Sequence, residues 1–132
     1  MEMTKQIDES TLVLFGASGN LSRVKLMPGL FRLDSLGRLP AKMAILSVGR
    51  GAVSREDWQK DIKGMLDAKF KKGYDEEVFK RFIARNHYHS NPPEDATAFE
   101  RLKTTLADDS VFPQNLAYFL SVRPSDLSLI HI

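Results

Sequence analysis

Leu12-Val13-Leu14-Phe15, opened by Thr11 and stopped by Gly16, is an apolar run with no polar position inside it. A strand that faced water on one side would alternate, so a continuous run predicts a strand covered on both faces, as in a parallel sheet. Ala44-Ile45-Leu46-Ser47-Val48, stopped by Gly49, and Leu116-Ala117-Tyr118-Phe119-Leu120-Ser121-Val122 repeat the pattern with one serine each. His87-Tyr88-His89 is a briefer strand candidate between them.

The stretches between these runs change to helical spacing. From about Leu21 to Leu36, the positions Leu26, Leu30, Phe31 and Leu33 predict a crossover helix that Gly37 is placed to terminate. Pro28 lies inside it without a backbone donor, so it either kinks this helix or shortens its regular part. Ser54 with Asp57 resembles a capping box. Trp58, Ile62, Met65, Leu66, Lys69 and Phe70 then give a mainly apolar face, closed by Gly73. Glu77 to Ala84 predicts a further short helix with Val78, Phe79, Phe82 and Ile83 inward. Asn91-Pro92-Pro93 is a loop, because paired prolines exclude helix and central strand. Thr97 with Glu100 is a second cap candidate for a helix that carries Phe99, Leu102 and Leu106 and ends near Asp108-Asp109. The order β-α-β-α-α-β-α-β, without a hairpin signal, predicts an α/β fold: an open, doubly wound parallel sheet with right-handed crossovers.

Composition narrows what such a sheet would do. The 132 residues, 42% hydrophobic and 27% charged, suit a single core. Nineteen basic residues are scattered among seventeen acidic ones, which speaks against a nucleic-acid partner. Cysteine is absent, so disulfides, thiolate metal sites and thiol nucleophiles are excluded and redox chemistry would need a borrowed cofactor. Met1 to Ser10 lacks the apolar core of a signal peptide, and no later stretch has the length of a membrane span. A cytoplasmic protein without a membrane partner is expected.

The candidate chemistry lies after the first strand. Gly16-Ala17-Ser18-Gly19-Asn20-Leu21-Ser22 occupies the handover from strand to helix, where glycines let backbone approach a pyrophosphate and the helix N-terminus offers unpaired N–H donors. The other reading of such a turn is a tight connection that binds nothing, but the second strand about thirty residues on supplies the context a dinucleotide site requires. At the end of that strand stands Arg50, where NAD binders place an acid for the ribose. A cation there accommodates the 2′-phosphate of NADP, unless Arg50 is an ordinary surface arginine. His87 and His89 share one strand face and admit a two-ligand metal reading beside that of plain strand-edge histidines. With no third ligand apparent, no metal is expected.

The longer run Gly16-Ala17-Ser18-Gly19-Asn20-Leu21-Ser22-Arg23-Val24-Lys25-Leu26-Met27-Pro28 resembles the opening of the glucose-6-phosphate dehydrogenase family, G-A-S-G-D-L-A-x-R-K-L-x-P. Val48-Gly49-Arg50 is similar to that family's G-x-G-R or G-Y-A-R element. Asp95 to Leu102 continues the resemblance, and Tyr118 to Ser125 resembles the Y-L-A-L-P-P-S strand and loop. The resemblance covers nearly the whole chain and implies a Rossmann-type NADP-binding domain over residues 1–126. Carried over, Gly16, Ala17, Ser18, Gly19, Asn20, Leu21 and Ser22 would hold the pyrophosphate and Arg50 the 2′-phosphate. Lys25 would stand near the meeting point of coenzyme and sugar phosphate, or be a helix-surface lysine. Leu120 to Pro124 would border the nicotinamide.

The resemblance further implies a cytoplasmic, homo-oligomeric enzyme of the pentose phosphate pathway. It would oxidise glucose 6-phosphate to 6-phosphoglucono-lactone with hydride transfer to NADP. Departures are Asn20 for the usual aspartate, Val24 for a basic residue, Arg123 for a proline, and no evident acidic element at Asn91-Pro92-Pro93. The family's E-K-P-F-G lysine and its D-H-Y-L-G-K motif with the catalytic histidine have no match, so no catalytic residue is assigned. The expectation is a truncated N-terminal part with an incomplete sheet. Leu127-Ser128-Leu129-Ile130-His131-Ile132 is expected to be a foreign tail, because it looks like a translated sequencing adapter. From another class, a non-catalytic dinucleotide-binding regulatory module is the alternative.

Overall fold

Four strands, all parallel, form one sheet in the order β3-β2-β1-β4 in the computed structural model, which describes residues 10–16, 25–40, 42–92 and 95–120. Along the chain the elements are β1 (Ser10–Phe15), α1 (Met27–Ser35), β2 (Ala44–Gly49), α2 (Arg55–Lys69), α3 (Glu76–Ala84), β3 (Asn86–Ser90), α4 (Ala98–Leu106) and β4 (Asn115–Leu120). The predicted order is reproduced element by element.

The continuous apolar runs are explained by what covers them. Leu14 and Ile45 point to one side, into a cluster with Met27, Phe31, Trp58, Ile62, Leu66 and Phe82 from α1, α2 and α3. Val13, Phe15, Leu46 and Val48 point to the other, onto Leu102 and Leu106 of α4 and Phe112. Every residue of β2 is buried. Each large aliphatic side chain fully withdrawn from water in this way stabilises the fold by roughly 1.5–3 kcal/mol.

The helix ends show where local pattern and tertiary context diverge. Gly37, at φ +69°, closes α1 as expected: its N–H donates to the Asp34 carbonyl and that of Arg38 to the Leu33 carbonyl, the paired bonds of a glycine-terminated helix. Pro28 falls in the first turn of α1, where a missing donor costs nothing, so it shortens the regular helix and does not kink it. Leu33, one of the apolar positions that predict the helix, is 39% exposed. Asp34 takes the buried place instead, because the inward stripe runs through Met27, Phe31 and Asp34. Ser54 accepts from the Asp57 N–H at 3.1 Å as the box predicts. Gly73 does not close α2, which ends at Lys69; it makes the following turn, at φ +97°. The Thr97–Glu100 box does not form. Asp95 Oδ1 accepts from both the Thr97 N–H at 2.9 Å and the Thr97 hydroxyl at 2.7 Å, drawing that hydroxyl away from the helix.

Buried Asp34 anchors an ion cluster that ties α1 to α3. Arg81 donates through Nε to Asp34 Oδ1 at 2.9 Å and through Nη2 to the Asp34 carbonyl at 2.7 Å. Arg85 Nε lies 3.6 Å from Asp34 Oδ2, while its Nη1 donates to the carbonyls of Pro40 at 2.9 Å and Met43 at 3.2 Å. The segment that feeds β2 is thereby fixed to the end of α3, just before β3.

Candidate functional site

Register brings the ends of three strands level: Phe15 lies opposite Val48 of β2 and Leu120 of β4. The crossovers from β1 to β2 and on to β3 lie on one face, whereas the return from β3 to β4 carries α4 on the other. The strand order therefore reverses between β1 and β4. Beyond the carboxyl ends of strands at such a switch, helices diverge and leave a crevice, the general ligand position in open α/β sheets.

Gly16 stands at this point with φ +81°, a conformation that a side chain would strain, and its N–H donates to the Val48 carbonyl at 3.1 Å. The predicted glycine turn thus starts at the strand end where open α/β sheets hold their ligands. Ala17, Ser18, Gly19, Asn20, Leu21 and Ser22 lie outside the described residues, as do Val24, Arg123 and the tail 127–132. Lys25 is exposed, two positions before α1. Arg50 is exposed at the carboxyl end of β2 and makes no ion pair with any described residue. Gly16 and Arg50 are thus brought to the carboxyl ends of the adjacent strands β1 and β2.

Two contacts that sequence reasoning did not foresee hold the backbone on either side of Arg50. The Gly49 carbonyl accepts from the Asn91 N–H at 2.7 Å, and the Gly51 carbonyl accepts from the Tyr88 hydroxyl at 2.8 Å. Tyr88 lies against buried Trp58, ring centroids 5.1 Å apart, and burial pushes its phenol above the usual range. The available signal was alternation along β3, which sets Tyr88 on the face opposite His87 and His89. Arg55, the first residue of α2, donates to the carbonyls of Asn86 at 3.1 Å and Ala84 at 2.8 Å. It secures the far end of the same loop.

His87 and His89 point to the α4 side. His87 meets the Phe112 ring edge-on at 5.0 Å, and His89 lies beside Glu100, Arg101, Thr104 and Thr105. Burial, with Arg55 second, pushes His87 down to about 4, and burial with Arg101 lowers His89. Unfolded, an imidazole takes up its proton near pH 6.5, so protonation favours the unfolded chain. The stability contributed by neutral His87 is therefore complete above about pH 6.5, declines as pH falls, and is gone by about pH 4. We expect the urea midpoint to drop between about pH 7 and about pH 4.5, and His87→Gln to lessen that drop. An unchanged pH dependence in the variant would contradict the assignment.

The family model described as "Glucose-6-phosphate dehydrogenase, NAD binding domain" matches residues 13–131. The glucose-6-phosphate 1-dehydrogenase of Treponema pallidum is 32% identical over 118 residues, which is 86% of this chain and 23% of that protein. The enzyme of the same name from Dickeya dadantii is 31% identical over 106 residues, 80% of this chain and 22% of that one. A glucose-6-phosphate dehydrogenase solved in complex with its substrate glucose-6-phosphate superposes with a TM-score of 0.74 at 30% identity, over 90% of this chain and 25% of its own. The Mycobacterium avium glucose-6-phosphate 1-dehydrogenase gives 0.75 at 22% identity, over 91% of this chain and 25% of its own, a likeness of fold. The chain spans about a quarter of the length of these relatives.

Proposed function

This chain belongs to the glucose-6-phosphate dehydrogenase family, and from that premise we propose that residues 1–126 are the coenzyme-binding part of an NADP-dependent enzyme of that kind. Gly16 to Ser22, between β1 and α1, would hold the pyrophosphate through backbone N–H groups. Arg50 would hold the 2′-phosphate. The observation that carries the reading is the placement of Gly16 in a positive-φ turn at the end of β1 beside an exposed guanidinium at the end of β2 that makes no ion pair with any described residue. A guanidinium meets a phosphate with short, charge-assisted hydrogen bonds, often two at once.

In the whole enzyme the coenzyme would accept a hydride from the anomeric carbon of glucose 6-phosphate while a histidine takes the hydroxyl proton, yielding the lactone that opens the pentose phosphate pathway. That histidine and the substrate lysine belong to motifs this sequence does not contain. Lys25 stands at the mouth toward the sugar phosphate. Residues 127–132 are foreign to the domain, and the enzyme is a cytoplasmic homo-oligomer.

Calorimetric titration of the 132-residue chain, and of the same chain ended at Asp126, is expected to give saturable NADP binding that is tighter than NAD binding and alike in the two. With glucose 6-phosphate added, neither should form NADPH. Equal binding of NAD and NADP would overturn the coenzyme assignment, and NADPH formation would overturn the assignment of the chemistry to other residues.

A further inference from the structure

We propose that Tyr88 is a positioning residue for coenzyme selectivity: its hydroxyl, bound to the Gly51 carbonyl, holds Arg50 in the orientation that meets a 2′-phosphate. The inference rests on the coenzyme reading above and adds to it the device that makes an exposed arginine selective.

Arg50 is flanked by Gly49 and Gly51, residues that restrict the backbone least. Left to itself, a Gly-Arg-Gly segment would spread the guanidinium over many directions, and ordering it on binding would cost conformational entropy. The structure removes that freedom from both sides. The Gly49 carbonyl is taken by the Asn91 N–H, and the Gly51 carbonyl by the Tyr88 hydroxyl. Tyr88 can act as a fixed post because its ring packs on Trp58, which is 2% exposed and belongs to the core beneath the sheet.

The ring also sets the loop's height. A Cβ built on Gly49 would meet the Tyr88 hydroxyl oxygen at 2.5 Å and two ring carbons at 3.2 Å, so strand end and phenol touch with no room for a methyl group. Tyr88 acts through the backbone that carries Arg50, by its bond to the Gly51 carbonyl.

The test uses two probes that differ only by the 2′-phosphate, adenosine 2′,5′-bisphosphate and 5′-AMP. They are titrated against the full chain and followed by fluorescence of Trp58, its sole tryptophan. Tyr88→Phe keeps the ring on Trp58 and deletes one hydrogen bond. It should weaken binding of the bisphosphate by about three- to tenfold, the net worth of such a bond, and leave 5′-AMP within about twofold. The thermal midpoint should stay close to wild type. Gly49→Ala should produce the same selective loss by pushing on the hydroxyl, and should add less in the Tyr88→Phe background, where the oxygen at 2.5 Å is gone and only the ring contacts at 3.2 Å remain.

If wild type prefers the bisphosphate and Tyr88→Phe keeps that preference, the positioning role is wrong and the coenzyme reading stands. An equal loss for both probes would mark Tyr88 as a general structural residue, which also overturns the proposal. If wild type does not distinguish the probes, the coenzyme reading fails and this inference falls with it.

Discussion

Asp34→Ala is expected to destabilise the chain by about 3–5 kcal/mol, the usual cost of removing one partner from a buried ion pair. The Asp34 side chain is 3% exposed and that of Arg85 7%, so water cannot replace the lost carboxylate at Arg85. Burial already pushes the Arg85 guanidinium below its usual range, and Asp34 is what opposes this. Arg81 is half exposed and can turn to solvent, so its share of the loss is small. Because a domain of this size holds about 5–15 kcal/mol in all, the variant should unfold well before wild type in urea. Asp34→Leu combined with Arg85→Met removes both charges and should recover part of the loss. A change under about 1 kcal/mol for Asp34→Ala would show that the pair is not sealed from water.

Arg50→Ala is expected to weaken NADP binding by about one to two orders of magnitude, since a hydrogen bond to a charged group is worth roughly 1.5–3 kcal/mol net. NAD lacks the 2′-phosphate and should bind the variant as it binds wild type. Arg50→Asp should go further, repelling the phosphate while offering acceptors to the NAD ribose, so that the preference inverts. Arg50 is exposed and bears no ion pair with a described residue, so neither variant should move the unfolding midpoint. Parallel losses for NADP and NAD would mean that Arg50 supports the loop and does not read the phosphate.

The strands were legible because a sheet covered on both faces leaves its mark as nearly continuous apolar runs, and Leu12 to Phe15 and Ala44 to Val48, with Ser47 its one polar residue, are such runs. That the strands run parallel followed from the helices between them. What local pattern could not reach were positions decided by distant partners. Leu33 belongs to the apolar pattern of α1 and is exposed, yet Asp34 is buried because Arg81 and Arg85, far along the chain, pair with it. The Thr97–Glu100 spacing is that of a cap, but a carboxylate two residues earlier competes for Thr97. Asp75, with no partner at the box position, caps α3 through the N–H groups of Glu77 and Val78. At the site, Gly16 and Arg50 were legible as a turn glycine and a strand-end cation. Tyr88 was not, since its hydroxyl finds Gly51 only once β3 lies beside β2.

The most direct measurement of the central claim is a crystal structure of the chain soaked or grown with NADP. The 2′-phosphate oxygens are expected within hydrogen-bonding distance of the Arg50 guanidinium, and the pyrophosphate over the turn that begins at Gly16, at the end of β1. A coenzyme whose 2′-phosphate points away from the end of β2, or that binds elsewhere than the crevice between β1 and β4, would contradict the account.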